Sequence, residues 1–216
     1  MSWSILFFFC ESGPDCLMNR LQLEPVKSLR WIGDLVDYGP HPVACVEWMM
    51  DKRALTVSGN HDELVVNAWE HPEVEAPDTW RTENAAQLSP KHIDYLKNLP
   101  RQIVVELDGI SYGMTHLFQG YEVIRSLEAF QCFSMDRFGR PLQRMIFGHT
   151  HRRGVTHLSD ADMWINPGSV SYRRLHGSWG APPPRRLCRF RVRLGIPRSH
   201  AWPRPGPHMS GGNNSK

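Results

Sequence analysis

The sequence predicts a mixed α/β sandwich, and three observations predict it. Short apolar runs alternate with helical-period segments through the first hundred residues. Beyond residue 101 the runs form a hairpin and then further strands. Four polar clusters each begin where an apolar run stops. At 216 residues the chain has ample length for a hydrophobic core. Its 41% apolar and 22% charged content is ordinary globular usage, which excludes a wholly disordered chain. No segment approaches the ~18 apolar residues of a membrane span.

The elements follow in order. "SILFFF" (4–9) and "SLRWIG" (28–33) read as short buried strands. The opening run has no basic segment before it and no small-residue cleavage site after it, so it reads as a first strand and not a signal peptide. "PVACVEWMMD" (42–51) has the helical period, with Pro42 in a first turn where proline is tolerated. "ALTVSG" (54–59) is a strand stopped by glycine, and "ELVVNAWE" (63–70) is helical. "TWRTENAAQL" and "SPKHIDYLKNL" predict two more helices, the second with Ser89 as N-cap and Pro90 at the first helical position. "RQIVVEL" and "ISYGMTH", joined at Asp108-Gly109, are a hairpin. "EVIRSLEAFQCF" (122–133) reads as a helix, and "RMIFG", "GVTHL" and "DMWINPG" complete the strands. There is no internal repeat.

Residues 1–180 are expected to form the domain and residues 181–216 a basic Pro/Arg-rich tail, largely disordered apart from "LCRFRVRL", which alternates as an edge strand does. The tail carries seven Arg, one Lys and no acid, +8 against +3 for the whole chain, so the first 180 residues stand at −5. Such a tail offers salt-sensitive contact with nucleic acid, although Pro/Arg tails are more often merely solvated. Five scattered cysteines, Cys10, Cys16, Cys45, Cys132 and Cys188, form no disulfide framework and no paired C-x-x-C. They point to a reducing, cytoplasmic setting.

The chemistry lies in the four clusters "GDLVDYGPHP" (33–42), "GNHDE" (59–63), "MTHLFQG" (114–120) and "GHTHR" (148–152). Strand ends are where α/β folds collect site residues, and the glycines allow a sharp turn and close approach of a ligand. Taken singly, each cluster has an ordinary reading. Gly-Asp is often a turn, Asn-His caps a helix, a lone His116 is more often a satisfied core histidine, and His-Thr-His is more often a surface loop. Together they supply carboxylate, amide and imidazole groups suited to a divalent ion such as Mn, Fe or Zn.

These motifs resemble those of the calcineurin-like metallophosphoesterases, in the bacterial branch with Gly-Asp-x-x-Asp-Tyr-Gly-Pro. "INPGSVSYRR" (165–174) is similar to the Asn-Pro-Gly-Ser segment of that branch, and the resemblance runs from about Ser28 to Arg174. It implies two facing mixed β-sheets flanked by helices. It also implies that Asp34 bridges two metal ions, that Asn60, His116 and His149 complete the second site, and that His151 belongs to the first. His61 would contact the phosphate and protonate the leaving oxygen, with Asp37 holding it in its working orientation. The residue types suit the chemistry. Two cations ~3.5–4 Å apart need a carboxylate between them, and a water they activate becomes the hydroxide that attacks phosphorus. A positioned imidazolium then supplies the leaving-group proton, typically worth 10²–10⁴-fold.

The pattern departs from the family at its first motif, an Asp-x-His after the first strand. This chain reads "FFFCESGPDC" there, and no Asp-x-His stands before residue 34. Glu11 falls at the Asp position and Gly13 at the His position; Glu11 can replace a carboxylate, and Gly13 cannot replace an imidazole. Asp15 and Cys16 are the remaining nearby donors. His116 is followed by Leu117 where the family motif carries Gly. Past residue 174 no final strand pair is clear, so both ends read as diverged around an intact centre, through a shifted start or a changed reading frame.

The expected function is thus a metal-dependent phosphoesterase acting on small phosphomonoesters or phosphodiesters, with one or two metal ions per chain and activity reduced by the missing Asp-x-His. The alternative is a disabled relative that binds metal or phosphate without turnover. Tyr38 stands where related protein phosphatases carry a phosphate-gripping Arg; Arg152 and Arg153 are the candidate substitutes, although such arginines are slightly more often solvated loop charges. No membrane association is expected.

Overall fold

A computed structural model describes residues 4–6, 29–37, 39–74, 79–107, 109–116 and 124–169. Glu11, Tyr38, the other donors before residue 29 and the tail at 181–216 lie outside the described residues.

Two sheets carry the fold. The smaller has the order β1-β2-β3, with β1 (Ser4–Leu6), β2 (Leu29–Trp31) and β3 (Leu55–Thr56) paired in parallel. The larger has the order β4-β5-β6-β8-β7. Its strands are β4 (Gln102–Leu107), β5 (Ile110–Thr115), β6 (Arg144–Phe147), β7 (Gly154–His157) and β8 (Met163–Asn166). The β4–β5 hairpin and the β7–β8 pair are antiparallel, whereas β5, β6 and β8 run parallel. The larger sheet is therefore mixed, as expected, while the smaller is parallel across its described strands.

Five helices are described. They are α1 (Pro42–Lys52), α2 (Asn60–Glu70), α3 (Trp80–Gln87), α4 (Pro90–Lys97) and α5 (Leu127–Phe138). Side-chain alternation sorts the core into layers. On β6, Met145 and Phe147 pack with Phe130 and Phe133 of α5, while Ile146 turns to the other face. There it joins Ile32, Val57, Val105, Met114 and Ile165, which fill the space between the sheets. Outside the smaller sheet, Trp31, Leu35 and Val36 pack against Val46 and Met49 of α1, Val65 of α2, Ala85 of α3 and Ile93 of α4. The result is helix, sheet, sheet, helix.

Two helices depart from their expected bounds. α2 begins at Asn60, so Asn60, His61 and Asp62 form its first turn. α5 starts five residues later than its apolar period suggests and runs to Phe138. Ser126 caps it by accepting the Ala129 N–H, and Gly139 ends it in the left-handed conformation. Ser126 and Gly139 were the boundary signals, and the apolar residues ahead of Ser126 obscured them.

Candidate metal centre

All four polar clusters lie at the C-terminal ends of parallel strands. β2 runs into Gly33–Asp37, β3 into Gly59–Asp62, β5 into His116 and β6 into Gly148–His151. The backbone there is unusual. Asp34 (φ 55°), Asp37 (φ 95°), His149 (φ 62°) and His151 (φ 56°) all adopt left-handed conformations, which cost non-glycine residues on the order of 1–3 kcal/mol each. One other described non-glycine residue does so, Arg53 at the end of α1. Local sequence does not favour these conformations, so tertiary contacts must impose them.

Asp62 supplies several of those contacts. Its carboxylate, 1% exposed, accepts the N–H groups of Asp34 (3.0 Å) and Gly59 (2.8 Å) on one oxygen and of Leu35 (2.6 Å) and Val36 (3.3 Å) on the other. Burial and the nearby Asp34 charge push its carboxyl up to about 7, against the pull of the backbone donors. Gly59 is required by close approach: a Cβ there would sit 2.1 Å from Asp34 Oδ1. Asn166, at the end of β8, does similar work for the other loop. Its amide donates to Gly148 O (2.7 Å) and Thr150 Oγ1 (2.9 Å), and its oxygen accepts the Gly168 N–H.

These loops bring Asp34, Asn60, His116 and His149 together. His116 Nδ1 donates to Ile32 O at 2.5 Å, which leaves Nε2 facing the other groups. Nε2 lies 3.1 Å from Asn60 Oδ1 and 3.0 Å from Asp34 Oδ2. The second approach is an ion-pair contact outside hydrogen-bond alignment, so Asp34 Oδ2 is buried without a hydrogen bond. His149 Nδ1 lies 3.0 Å from Asn60 Oδ1, and the His116 and His149 rings meet edge to face at 5.7 Å. His151 Nε2 stands 4.0 Å from Asp34 Oδ2. Burial alone would raise Asp34, but the His116 charge, with help from His151 and His61, holds its carboxyl well below the usual range. Burial works against a charged His116, and Asp34 outweighs it, moving the imidazole up.

The donor set fits a divalent cation. Asp34 Oδ2 and Asn60 Oδ1 each lie about 3 Å from His116 Nε2, and two oxygens facing one ring nitrogen favour positive charge there. A proton on His116 bridges two atoms at most, whereas a divalent cation takes several oxygen and nitrogen donors at once. Carboxylate, amide oxygen and imidazole are the ligand types of Mn, Fe and Zn. Among the described residues, no three His, Cys, Asp or Glu side chains form a ready-made cage. The convergence depends on the amide oxygen of Asn60.

Beside this cluster stands a second pair. His61 Nδ1 is 2.5 Å from Asp37 Oδ2, with both side chains nearly buried. The His61 N–H also donates to Asp34 Oδ1 (3.1 Å), which ties the pair to the cluster. Arg81 Nε lies 4.0 Å from Asp37 Oδ1. Asn84, one turn along α3 from Arg81 and 1% exposed, accepts the Asp37 N–H (3.1 Å) and donates to Gly39 O (2.9 Å).

The structure thus gathers Asp34, Asn60, His116 and His149, with His151 at the margin, and pairs His61 with Asp37. Arg152 and Arg153 are exposed. Sequence reading gave no role to Asp62, Asn84, Asn166 or Arg81. Asp62 sits inside the quoted "GNHDE", so its position was a signal. Asn84 and Arg81 lie in an unremarkable amphipathic helix and left none.

Four layers with strand ends meeting at one polar edge form a metallophosphoesterase fold. The chain belongs to the calcineurin-like phosphoesterase superfamily: the family model for that superfamily's domain matches residues 13–180. Among curated relatives, a symmetrical bis(5'-nucleosyl)-tetraphosphatase of Chromohalobacter salexigens is 31% identical over 111 residues, half of this chain and 40% of that protein. An uncharacterized protein of Methanocaldococcus jannaschii is 38% identical over 48 residues, 22% of this chain and 20% of that one. The matched segments thus span less than half the length of either curated relative. Among solved structures, a metallophosphoesterase of Sphaerobacter thermophilus aligns with TM-score 0.55 and 20% identity, over 81% of this chain and 79% of that one. A hypothetical protein of Pyrococcus horikoshii aligns with TM-score 0.59 and 12% identity, over 79% and 77%. Among the described residues, no helix is long and apolar enough to cross a membrane.

Proposed function

We propose that the chain is a divalent-metal-dependent hydrolase of small phosphate esters. One observation supports this most: Asp34, Asn60, His116 and His149 converge from four strand ends beside a His61–Asp37 pair. Divalent cations bound there would polarise phosphoryl oxygens and lower the pKa of water to near neutrality. Asp34 would hold them, with Asn60, His116 and His149 on one side and His151 on the other. Neutral imidazoles and an amide limit the negative charge facing an anionic substrate. His61 would give its proton to the departing oxygen, and Asp37 would fix its ring. Glu11 is proposed as the remaining carboxylate of the first site. Mn, Fe and Zn all match the donor types, and a nucleoside polyphosphate joins the candidate substrates through the tetraphosphatase relative.

A second reading has a specific observation behind it. The absence of Asp-x-His before residue 34 removes an imidazole from the first site, and closed metal sites usually have four ligands. On that reading the chain binds one cation and turns over slowly or not at all. Hydrolysis of bis(p-nitrophenyl) phosphate by Mn-loaded protein separates the two. Turnover that disappears in Asp34→Asn supports the enzyme; bound metal without turnover supports the disabled relative.

A further inference from the structure

We infer that Asn84 is a positioning residue for His61, acting through Asp37 from a helix outside the four motif loops. The inference rests on the reading of His61 as the group that protonates the leaving oxygen. Asp37 can orient His61 only if its own backbone is fixed, and that backbone is held at φ 95°, in the left-handed region. Unconstrained, it would relax and carry the carboxylate away from the imidazole. Asn84 opposes this at two points. Its oxygen accepts the Asp37 N–H and its amide donates to Gly39 O, which clamps the loop on both sides of residue 38.

The clamp itself has a firm seat. Thr79 caps α3 by accepting the Thr82 N–H, while Ala85 and Leu88 are buried in the same core as Leu35 and Val36. The helix bearing Asn84 therefore packs on the segment just before Asp37. The order of control runs from α3 to the Asp37 backbone, then to the Asp37 carboxylate, then to the His61 ring 2.5 Å away. Nothing in this chain requires Asn84 to meet substrate. Its effect should appear only where the proton from His61 matters.

The test uses the full chain loaded with Mn and two phosphodiesters. Bis(p-nitrophenyl) phosphate releases a phenolate that needs no proton, whereas a glycerophosphodiester releases an alkoxide that does. For Asn84→Ala, kcat on the glycerophosphodiester should fall by roughly 10–100-fold, the scale of lost outer-shell orientation. KM should stay within about twofold and kcat on the nitrophenyl ester within about threefold. Asn84→Asp keeps an acceptor for the Asp37 N–H but turns a buried carboxylate oxygen toward Gly39 O, so it should not recover the loss. If Asn84→Ala fails to fold in a thermal melt, Asn84→Ser is read in its place. The second readout needs no turnover. The short Nδ1–H···Oδ2 bond of His61 should give a far-downfield proton resonance, absent in His61→Asn and lost or shifted in Asn84→Ala. Equal losses on both esters, or an unchanged His61 resonance, would overturn the inference. If the unaltered chain hydrolyses neither ester, the hydrolase reading fails, and the resonance still decides whether Asn84 sets the His61–Asp37 pair.

Discussion

The two sides of the site differ in what they bring together. The His61–Asp37 side is complete in itself: imidazole meets carboxylate at 2.5 Å, and Asn84 holds the backbone beneath. The Asp34–Asn60–His116–His149 side is a chain of close approaches, with His116 Nε2 near both Asp34 Oδ2 and Asn60 Oδ1 and His149 Nδ1 near Asn60 Oδ1. One side pairs a single imidazole with a single carboxylate; on the other the His116 charge answers Asp34, and the Asn60 oxygen and His149 gather beside them.

Substitutions on each side should therefore separate two properties. The largest effect is expected for Asp34→Asn, which removes the carboxylate that approaches both His116 and His151. Turnover should fall by at least about a thousandfold, consistent with the loss of several kcal/mol of charge stabilisation. Cation binding by calorimetry should weaken with it. His61→Asn should sharpen the contrast, lowering turnover of a glycerophosphodiester, whose alkoxide needs the proton, by roughly 10²–10⁴-fold while leaving cation stoichiometry unchanged. If His61→Asn also abolishes cation binding, the two sides are not separable.

Asp62→Ala tests the support common to both. It would strand the N–H groups of Asp34, Leu35, Val36 and Gly59, each costing about 1–3 kcal/mol if left unsatisfied. Partial relaxation and entering water should bring the measured loss in urea unfolding to about 3–5 kcal/mol. A loss under about 1 kcal/mol would mean these bonds do not hold the loops. The smallest effect is expected for Arg81→Gln. At 4.0 Å from Asp37 and with its side chain 28% exposed, Arg81 should change turnover only a few-fold.

How far the sequence revealed this molecule depends on the range of the contacts. Gly-Asp, Asn-His, Thr-His and Gly-His-Thr-His were visible as strand endings, because a strand, a glycine and a polar residue are local neighbours. The strands themselves were visible from their apolar runs, although β3 is only Leu55–Thr56. The parallel pairing of the smaller sheet was not, since pairing joins segments far apart. Asn84 is the clearest case: it reaches Asp37 from 47 residues away, and its own helix carries no mark of the role. The left-handed backbone at Asp34, Asp37, His149 and His151 was equally hidden, because tertiary contacts override what those residue types prefer. Glu11 and the basic tail lie outside the described residues, and their proposed roles rest on the sequence alone.

On the proposed reading, Asp34, Asn60, His116 and His149 hold a divalent cation. The most direct measurement is Mn content per purified chain after loading and exhaustive dialysis, for the unaltered protein, Asp34→Asn and His116→Ala. At least one ion per chain, lost in both variants, is the predicted result. No ion in the unaltered protein, or an ion retained in both variants, would mean that these residues do not hold a cation.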